Sequence, residues 1–340
     1  MQLDFDAIKA ITCGAAWVEE REEGIFFHLF TREQEALYYA DERPVKRHFD
    51  RKTKSTSGIK LVFLTDSRSL KLKAALSKAT TRRYATFELW VNREPVDTLQ
   101  NYETPYPPGD PEWEFPYGEY EKEFSLGEGE KLVEVFFPWS TCTVLQALSV
   151  DDGAKVVPVK RQKKLLCFGD SITQGYDILR FSQHYTSRLA DLLDAELYNK
   201  AIGGEVYFSA LAETKESFTP DYITVAYGSN DFRKTDRPSF EANCKAFYAA
   251  LRANYPEAKI FALTPIWRED ENKEGVFGSF ELAEKGIREA AAQQPGVTVI
   301  RGYDFVPHDP ALYADLRLHP NDEGFAHFGN NLLQEIKKYI

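Results

Sequence analysis

A serine lies where the chain changes from strand-like to helix-like sequence. Ser171 belongs to the segment FGDSIT, residues 168–173, which follows the apolar run 165–167. At such a turn the hydroxyl can project at the edge of a sheet, where a helix N-terminus favours developing negative charge. In isolation, a helix N-cap is the more common role for a serine in this position. The hydroxyl becomes a strong nucleophile only when an adjacent base accepts its proton.

Histidine is the residue that most often acts as such a base, and the chain contains six of them. His319 is followed by Pro320 and precedes the last helix-like segment, so we expect a loop to present it at the sheet edge. His308 is also in a predicted loop and is its main competitor. The others lie in the strand-rich half or in predicted helices: His28, His48, His184 and His327.

Three further segments follow in an order that suits a serine esterase: NKAIGG at 199–204, GSND at 228–231 and LHPND at 318–322. With GDSIT at 169–173 they resemble the four signature blocks of the SGNH (GDSL-type) hydrolase family, in the family's order. The resemblance covers the chain from about residue 163 to 340. It implies acyl transfer through a serine, with no cofactor.

Within this resemblance Ser171 is the nucleophile and His319 the base. The oxyanion hole is expected to consist of the backbone N–H groups of Ser171 and Gly204 and the side-chain amide of Asn230, which would stabilise charge on the attacked carbonyl oxygen. The family's glycine stands five residues after the asparagine of its block, here Asn199, which selects Gly204 over Gly203. A turn role for the glycine or for Asn230 is the alternative.

The third member of the triad departs from the family pattern. The family usually places an aspartate three residues before the histidine, and here that residue is Leu316. We predict that Asp315, four residues before, orients the imidazole through its N–H. A backbone carbonyl could do the same and give a Ser–His dyad. Asp309 and Asp322 are weaker substitutes.

Other chemistries fit the polar residues less well. Asp170 and Asp231 neighbour the proposed catalytic residues, and we interpret them as acceptors that hold their loops. A carboxylate pair would suit a glycosidase, but the serine, the histidine and the donor set favour an esterase. No cluster of His, Cys and Asp has the spacing of metal ligands, so no metal site is predicted.

The two halves of the chain have different patterns, and 340 residues suit two domains. Residues from about 10 to 150 contain short runs with the period of half-buried strands and a hairpin signal at 92–95, without a sustained helical stripe. We predict an all-β, jelly-roll-like sandwich for residues 1–157.

The second half alternates strand-like and helix-like stretches. Strand-like runs occupy residues 165–168, 197–202, 222–227, 260–263 and 297–300, and Phe240, Cys244, Phe247 and Leu251 follow helical spacing. Residues 163–340 are therefore predicted to form an α/β domain with a doubly wound, five-stranded parallel sheet of the SGNH or flavodoxin-like type. Ligands bind such sheets beyond the carboxyl ends of the strands, where Ser171, Gly204 and Asn230 would all lie.

Composition limits the partners. A net charge of −11 argues against nucleic acid or an anionic membrane as the main partner. The four cysteines are scattered and are read as reduced core residues. The N-terminus lacks a signal-peptide pattern and no apolar run is long enough to span a membrane. A cytoplasmic protein is expected, or a secreted one if a leader has been removed. The oligomeric state is not predicted.

A β-sandwich before an SGNH domain resembles the carbohydrate esterases of family 2, so the predicted substrate is an O-acetylated or otherwise short-acylated carbohydrate. Trp267, after a predicted strand, could stack on a sugar ring, or it could pack beneath a loop. The segment Pro138-Trp139-Ser140 could add a second wall from the N-terminal half. The alternatives are an SGNH acyltransferase, a lipase or thioesterase of the same fold, and an inactive sugar-binding protein.

Overall fold

The computed structural model describes residues 1–43, 48–110 and 113–340. The N-terminal half contains two antiparallel sheets. The first has the order β1-β4-β9-β6-β7 with β11 beside β4, and the second the order β2-β3-β10-β5-β8. Their strands are β1 (Thr12–Cys13), β2 (Trp17–Arg21), β3 (Gly24–His28), β4 (Lys60–Thr65), β5 (Ser69–Lys78), β6 (Thr86–Val91), β7 (Glu94–Gln100), β8 (Gly118–Ser125), β9 (Lys131–Phe136), β10 (Thr141–Val150) and β11 (Val156–Pro158).

The two sheets share one apolar core. The ring of Phe137 packs 5.0 Å from that of Phe27 in β3 and 5.3 Å from that of Phe87 in β6, so aromatic contacts join the sheets. The predicted hairpin is confirmed, because Asn92 and Arg93 adopt the left-handed conformation between β6 and β7. Two left-handed residues in succession suit the twist of a two-residue hairpin. The jelly-roll connectivity and the limits 1–157 and 163–340 stay predictions.

The expectation that this half lacks helices is wrong. It contains α1 (Phe5–Ile11), α2 (Arg32–Tyr39) and α3 (Phe49–Lys52). The side chain of Asp4 caps α1, and Thr31 and Gln34 form a capping box at α2. These helices are too short to carry a repeated apolar stripe, and the capping residues are the signal that could have revealed them.

The C-terminal half is built on a parallel five-stranded sheet, as predicted. Its order is β13-β12-β14-β15-β16. The strands are β12 (Lys163–Gly169), β13 (Ala195–Asn199), β14 (Tyr222–Ala226), β15 (Lys259–Leu263) and β16 (Val297–Ile300). The helices are α4 (Ser171–Gln174), α5 (Tyr185–Leu193), α6 (Ser209–Glu213), α7 (Asp231–Lys234), α8 (Arg237–Asn254), α9 (Phe280–Ala292) and α10 (Asp322–Ile336), with short 3₁₀ helices at Phe181–Gln183 and Pro310–Leu312.

Helices cover both faces of this sheet. Leu165 and Cys167 belong to one buried cluster with residues of α5 and α10. Leu166 and Phe168 belong to another, with residues of α8 and α9. Because alternate side chains of a strand point to opposite faces, β12 is apolar throughout. Cys167 and Cys244 are buried without a disulfide partner among the described residues, as expected.

The strand predicted at 197–202 ends early, at Asn199. The Asn199 side chain accepts the N–H of Ala201 and donates to the carbonyl of Thr173, which turns the chain at the sheet edge. The N–H of Ile202 still donates to the carbonyl of Gly169, at the end of β12. This turn brings the following glycines next to Ser171. In the described ranges, no helix is both long and apolar enough to cross a membrane.

Candidate active site

Ser171 begins α4, directly after β12, at the carboxyl edge of the parallel sheet. The side chain of Asp170 accepts the N–H of Ile172 at 3.0 Å and so caps this short helix. The turn is tight, because a Cβ at Gly169 would collide with the side chain of Thr173. Only 5% of the Ser171 surface is exposed. The cap is therefore supplied by Asp170, and the Ser171 hydroxyl is not used for it.

His319 faces this hydroxyl from the loop that precedes α10. Its Nε2 lies 2.8 Å from Ser171 Oγ. The bridge between Tyr313 and Pro320 closes the loop, and the N–H of Ala314 donates to the carbonyl of His319. His308, the competing histidine, lies elsewhere, where it stacks on Trp267 and pairs with Asp304. His184, predicted within a helix, instead caps the start of α5.

Asp315 contacts the other imidazole nitrogen, with its Oδ2 2.8 Å from His319 Nδ1. Its Oδ1 accepts backbone N–H groups of Arg317, Leu318 and His319 at 3.1, 2.7 and 3.1 Å. Burial acts to raise the pKa of Asp315, but the contact with His319 and these N–H donors outweigh burial and hold that pKa well below its ordinary value. An ionised Asp315 keeps the proton on Nδ1 and leaves Nε2 to accept the Ser171 proton.

The extra residue between Asp315 and His319 is accommodated by an unusual backbone conformation. Leu316 has a φ of 55°, in the left-handed region that costs a side-chain-bearing residue roughly 1 kcal/mol. This turn lets an aspartate four residues before the histidine reach Nδ1. Asp309, by contrast, caps the 3₁₀ helix at Pro310–Leu312, and Asp322 accepts the N–H of Leu179.

Three N–H donors near Ser171 have no acceptor in the part of the chain that the structure describes. Among the described residues, nothing accepts the backbone N–H of Ser171 or of Gly204. The side-chain Nδ2 of Asn230 is buried and also has no acceptor within the described ranges. The N–H of Gly203, in contrast, donates to Gln174 at 2.6 Å. Of the two adjacent glycines, Gly204 is therefore the one whose donor is available.

Lys234 fixes the orientation of this donor set. Its Nζ donates to Asn230 Oδ1 at 2.8 Å and to the carbonyl of Gly204 at 3.0 Å. A cation on the amide oxygen identifies the other amide atom of Asn230 as the NH₂ group. Gly204 has a φ of 91°, a conformation that glycine adopts without strain.

The two neighbouring aspartates accept backbone hydrogen bonds. Asp231 accepts the N–H groups of Tyr207 and Gly228, both at 3.1 Å, which ties the loops around Gly204 and Asn230. Burial raises the pKa of Asp231 to about 7 and that of Asp170 to about 6. Both carboxylates lie within the folded loops and fit the structural role that we expected of them.

A second carboxylate near His319 was missed by sequence reasoning. Asp177 is fully buried, and its Oδ2 lies 3.4 Å from His319 Nδ1. Arg82 from the N-terminal half donates to it from Nε at 2.5 Å and from Nη2 at 2.9 Å, and Tyr84 donates at 2.8 Å. No local signal marks this pair, because its members are far apart in sequence and meet only where the halves pack.

Asp177, Asp315 and His319 place possible metal ligands within 4.8 Å of one another. Their lone pairs are already engaged, however. Arg82 neutralises Asp177, and His319 uses its nitrogens toward Asp315 and Ser171. The group fits a charge network around an imidazole better than a divalent-cation site.

Ser171 and His319 open into a cavity of about 660 Å³. Both halves contribute to its walls, the N-terminal one through Thr81, Arg82 and Gly109. Two tryptophans considered as substrate contacts, Trp267 and Trp139, are not among the described residues that line the cavity. Trp267 stacks on His308, which favours the packing alternative. Trp139 is buried and donates to the carbonyl of Ile178, so it joins the halves beneath the site.

Comparison with known proteins agrees with this architecture. Residues 167–327 match the model of the GDSL-like Lipase/Acylhydrolase family. No curated protein sequence matches the chain.

Several solved structures share the fold of both halves. The salicylyl-acyltransferase SsfX3 from a tetracycline biosynthetic pathway aligns with a TM-score of 0.78 and 17% identity over 96% of this chain and 94% of that one. A proposed GDSL-like lipase from Bacteroides ovatus aligns with a TM-score of 0.71 and 18% identity, over 98% and 96%. A family two carbohydrate esterase from Clostridium thermocellum, in complex with cellohexaose, aligns with a TM-score of 0.62 and 15% identity, over 84% and 93%.

Proposed function

Because residues 167–327 belong to the GDSL-like Lipase/Acylhydrolase family, we propose that the protein is a serine esterase that removes acetyl or other short acyl groups from a carbohydrate. The observation that carries the proposal is the hydrogen-bonded chain from Ser171 through His319 to Asp315, beside three N–H donors that have no acceptor among the described residues. An acyl-enzyme on Ser171 would be the intermediate.

In the first step Ser171 Oγ attacks the ester carbonyl while its proton passes to His319 Nε2. The resulting imidazolium is stabilised by Asp315, which stays ionised. The carbonyl oxygen becomes negative, and the N–H groups of Ser171 and Gly204 and the amide of Asn230 would donate to it. Such preorganised donors act where charge develops and do not need to reorganise.

The imidazole of His319 gives up the proton again in both acylation and deacylation. His319 protonates the departing alcohol oxygen as the carbon–oxygen bond breaks, which leaves the acyl group on Ser171. A water molecule then gives its proton to His319 and attacks the acyl carbonyl, and Ser171 leaves with a proton from His319. The products are a free acid and the deacylated alcohol.

A carbohydrate substrate is supported by the fold. The family two carbohydrate esterases share both halves of this chain's architecture, and one of them is described in complex with cellohexaose. A cavity of about 660 Å³ is large enough for a sugar ring next to a short acyl group. Acyl transfer to an alcohol is the second candidate, because the chain aligns over nearly its whole length with an acyltransferase.

The test compares para-nitrophenyl esters from acetate to octanoate with wild type and Ser171→Ala, followed by acetate release from acetylated xylan and mannan oligosaccharides. We expect acetate-selective hydrolysis that requires Ser171 and extends to the glycans. A preference for long chains would move the substrate to lipids or thioesters. Acyl products that appear only with an added acceptor alcohol would favour the transferase. Turnover that persists in Ser171→Ala would refute the mechanism.

A further inference from the structure

The cavity at Ser171 is cationic, although the whole chain carries a net charge of −11. Its lining includes six Lys and Arg residues and two carboxylates, those of Asp110 and Asp315. Arg82 is compensated by Asp177, and Lys234 orients the amide of Asn230. These contacts give Arg82 and Lys234 structural roles and so account for two of the six positive charges. They do not explain Arg233, Arg268 and Arg317, which also line the cavity.

Three arginines there share a single carboxylate, that of Asp270. Arg268 binds it through Nε at 2.5 Å and Nη2 at 3.1 Å, Arg233 lies 2.9 Å from it, and Arg317 3.2 Å. Burial acts to raise the pKa of Asp270, but the three guanidinium groups outweigh burial and lower it to about 2. Arg317 Nη2 also lies 3.9 Å from Asp315 Oδ2, but Asp315 is shared with His319. Two carboxylates cannot neutralise three guanidinium groups, so the cluster keeps an excess of positive charge.

The members of this cluster differ in exposure. The side chain of Arg268 is 2% exposed and donates to the carbonyl of Ser229, so it anchors the cluster to the loop that carries Asn230. The side chains of Arg233 and Arg317 are 26% and 47% exposed and line the cavity. The Nε group of Arg317 has no acceptor among the described residues. Arg233 also donates to the backbone carbonyls of Asp270 and Glu274. The buried Arg268 thus anchors two partly exposed guanidinium groups at the cavity, and that of Arg317 has a donor to spare.

Arg317 also lies on the side of the site where the alcohol would leave. It is in the turn between Asp315 and His319, and its own N–H donates to Asp315. In the proposed mechanism His319 protonates the departing alcohol oxygen, so the alcohol part of the substrate must lie next to this turn. Planar guanidinium groups bind carboxylate and phosphate oxygens with particular preference.

We propose that the alcohol part of the ester substrate carries an anionic group, a carboxylate or a phosphate, which binds Arg317 and Arg233. The natural substrate class is then an acylated acidic saccharide. This inference rests on the proposed esterase function and narrows it. The positive cavity of an acidic protein would attract such an anion, whereas the remaining surface would repel it.

The test uses matched acetate esters: 4-acetoxybenzoate, 4-acetoxyphenyl phosphate and neutral methyl 4-acetoxybenzoate. For each protein the ratio of kcat/KM for the anionic over the neutral ester is measured, so that differences in intrinsic reactivity cancel between variants. We expect Arg317→Gln and Arg233→Gln to lower the ratio about tenfold each, the effect of one charged hydrogen bond. Arg317→Lys, which keeps the positive charge, should retain most of the wild-type ratio.

Arg237→Gln is the matched control, because Arg237 is an exposed arginine of α8 that pairs with Glu241 away from the cavity. It changes the net charge equally and should leave the ratio unaltered. In wild type, rising sodium chloride should also lower the ratio, independently of whether any variant folds. The anionic ester whose ratio falls further in Arg317→Gln and Arg233→Gln identifies the preferred group.

Equal ratios in wild type, Arg317→Gln and Arg233→Gln, with Ser171-dependent hydrolysis of the neutral ester, would overturn this inference and leave the esterase proposal intact. If none of the three esters is hydrolysed in a Ser171-dependent manner, the proposed function fails and this inference fails with it. An equal drop in Arg237→Gln would show that net charge, and not a site, sets the preference.

Discussion

Asp315→Asn should lower activity more than Asp315→Ala, although asparagine is the closer match to aspartate in shape. Asparagine at 315 would keep Oδ1 as the acceptor for the N–H groups of Arg317, Leu318 and His319. It would place an NH₂ group where Oδ2 now lies, 2.8 Å from His319 Nδ1. That NH₂ needs an acceptor, so it favours the tautomer with the proton on Nε2. Such an imidazole cannot accept the proton of Ser171.

The expected loss for Asp315→Asn is about 10³- to 10⁴-fold in kcat, as for the corresponding change in a serine protease triad. Asp315→Ala removes the contact without imposing the wrong tautomer. Asp177 Oδ2, held by Arg82, remains 3.4 Å from Nδ1 and can accept its proton. The loss is then that of one charged hydrogen bond, about 1.5–3 kcal/mol, or roughly ten- to a hundredfold.

The assay is hydrolysis of para-nitrophenyl acetate by wild type and both variants, with thermal melting of each. Asp315→Ala should melt lower, because three backbone N–H groups lose their acceptor. It should nevertheless be the more active of the two. An alanine variant less active than the asparagine variant would refute the role given to Asp177. Wild-type activity in both would show that Asp315 is not needed to orient His319.

Three further predictions concern the donor set, the domain contact and a buried histidine. Asn230→Ala should lower kcat about a hundredfold or more without lowering the melting temperature, as measured with acetate esters and calorimetry, because it removes one oxyanion donor. Arg82→Met should leave Asp177 as an uncompensated buried charge and lower the free energy of unfolding by about 3–5 kcal/mol in urea titrations. Burial lowers the pKa of His184 from 6.5 to about 3, so below pH 6.5 the unfolded chain binds a proton that the folded one does not. The free energy of unfolding should therefore fall as pH falls from 6.5 toward 3, by up to about 1.4 kcal/mol per pH unit. The difference in this free energy between wild type and His184→Asn should show the same slope in urea titrations, and a difference that does not change with pH would contradict the assignment.

Most of the C-terminal sheet could be predicted from the sequence, because apolar strand runs alternate with helical stripes. The runs 222–227, 260–263 and 297–300 correspond to β14, β15 and β16. The proposed nucleophile and donors each follow a strand, and parallel strands end at one edge, so their proximity was predictable. Asp315 was chosen by its distance along the chain from His319, which the Leu316 turn accommodates.

Features that depend on packing between the halves could not be predicted. Arg82 and Asp177 are 95 residues apart, and each would be an ordinary surface residue by its local sequence. The arginines around Asp270 come from helix α7 and two loops, which meet only in the folded chain. Trp267 has the sequence context of a substrate contact, but the nearby His308 covers its ring. Local sequence patterns predict the strands, the helices and the sheet edge where the site lies. Contacts between residues far apart in sequence depend on burial and pairing in the folded chain, which these patterns do not contain.

The central claim is that Ser171, activated by His319, carries the acyl group during turnover. It is tested most directly by acid-quenching wild type during steady turnover of para-nitrophenyl acetate and mapping the modified peptide by mass spectrometry. The account predicts one added acetyl group on the peptide that contains Ser171, and none in Ser171→Ala. An acetyl group on any other residue, or turnover with an unmodified Ser171 under conditions that trap acyl-enzymes, would contradict it.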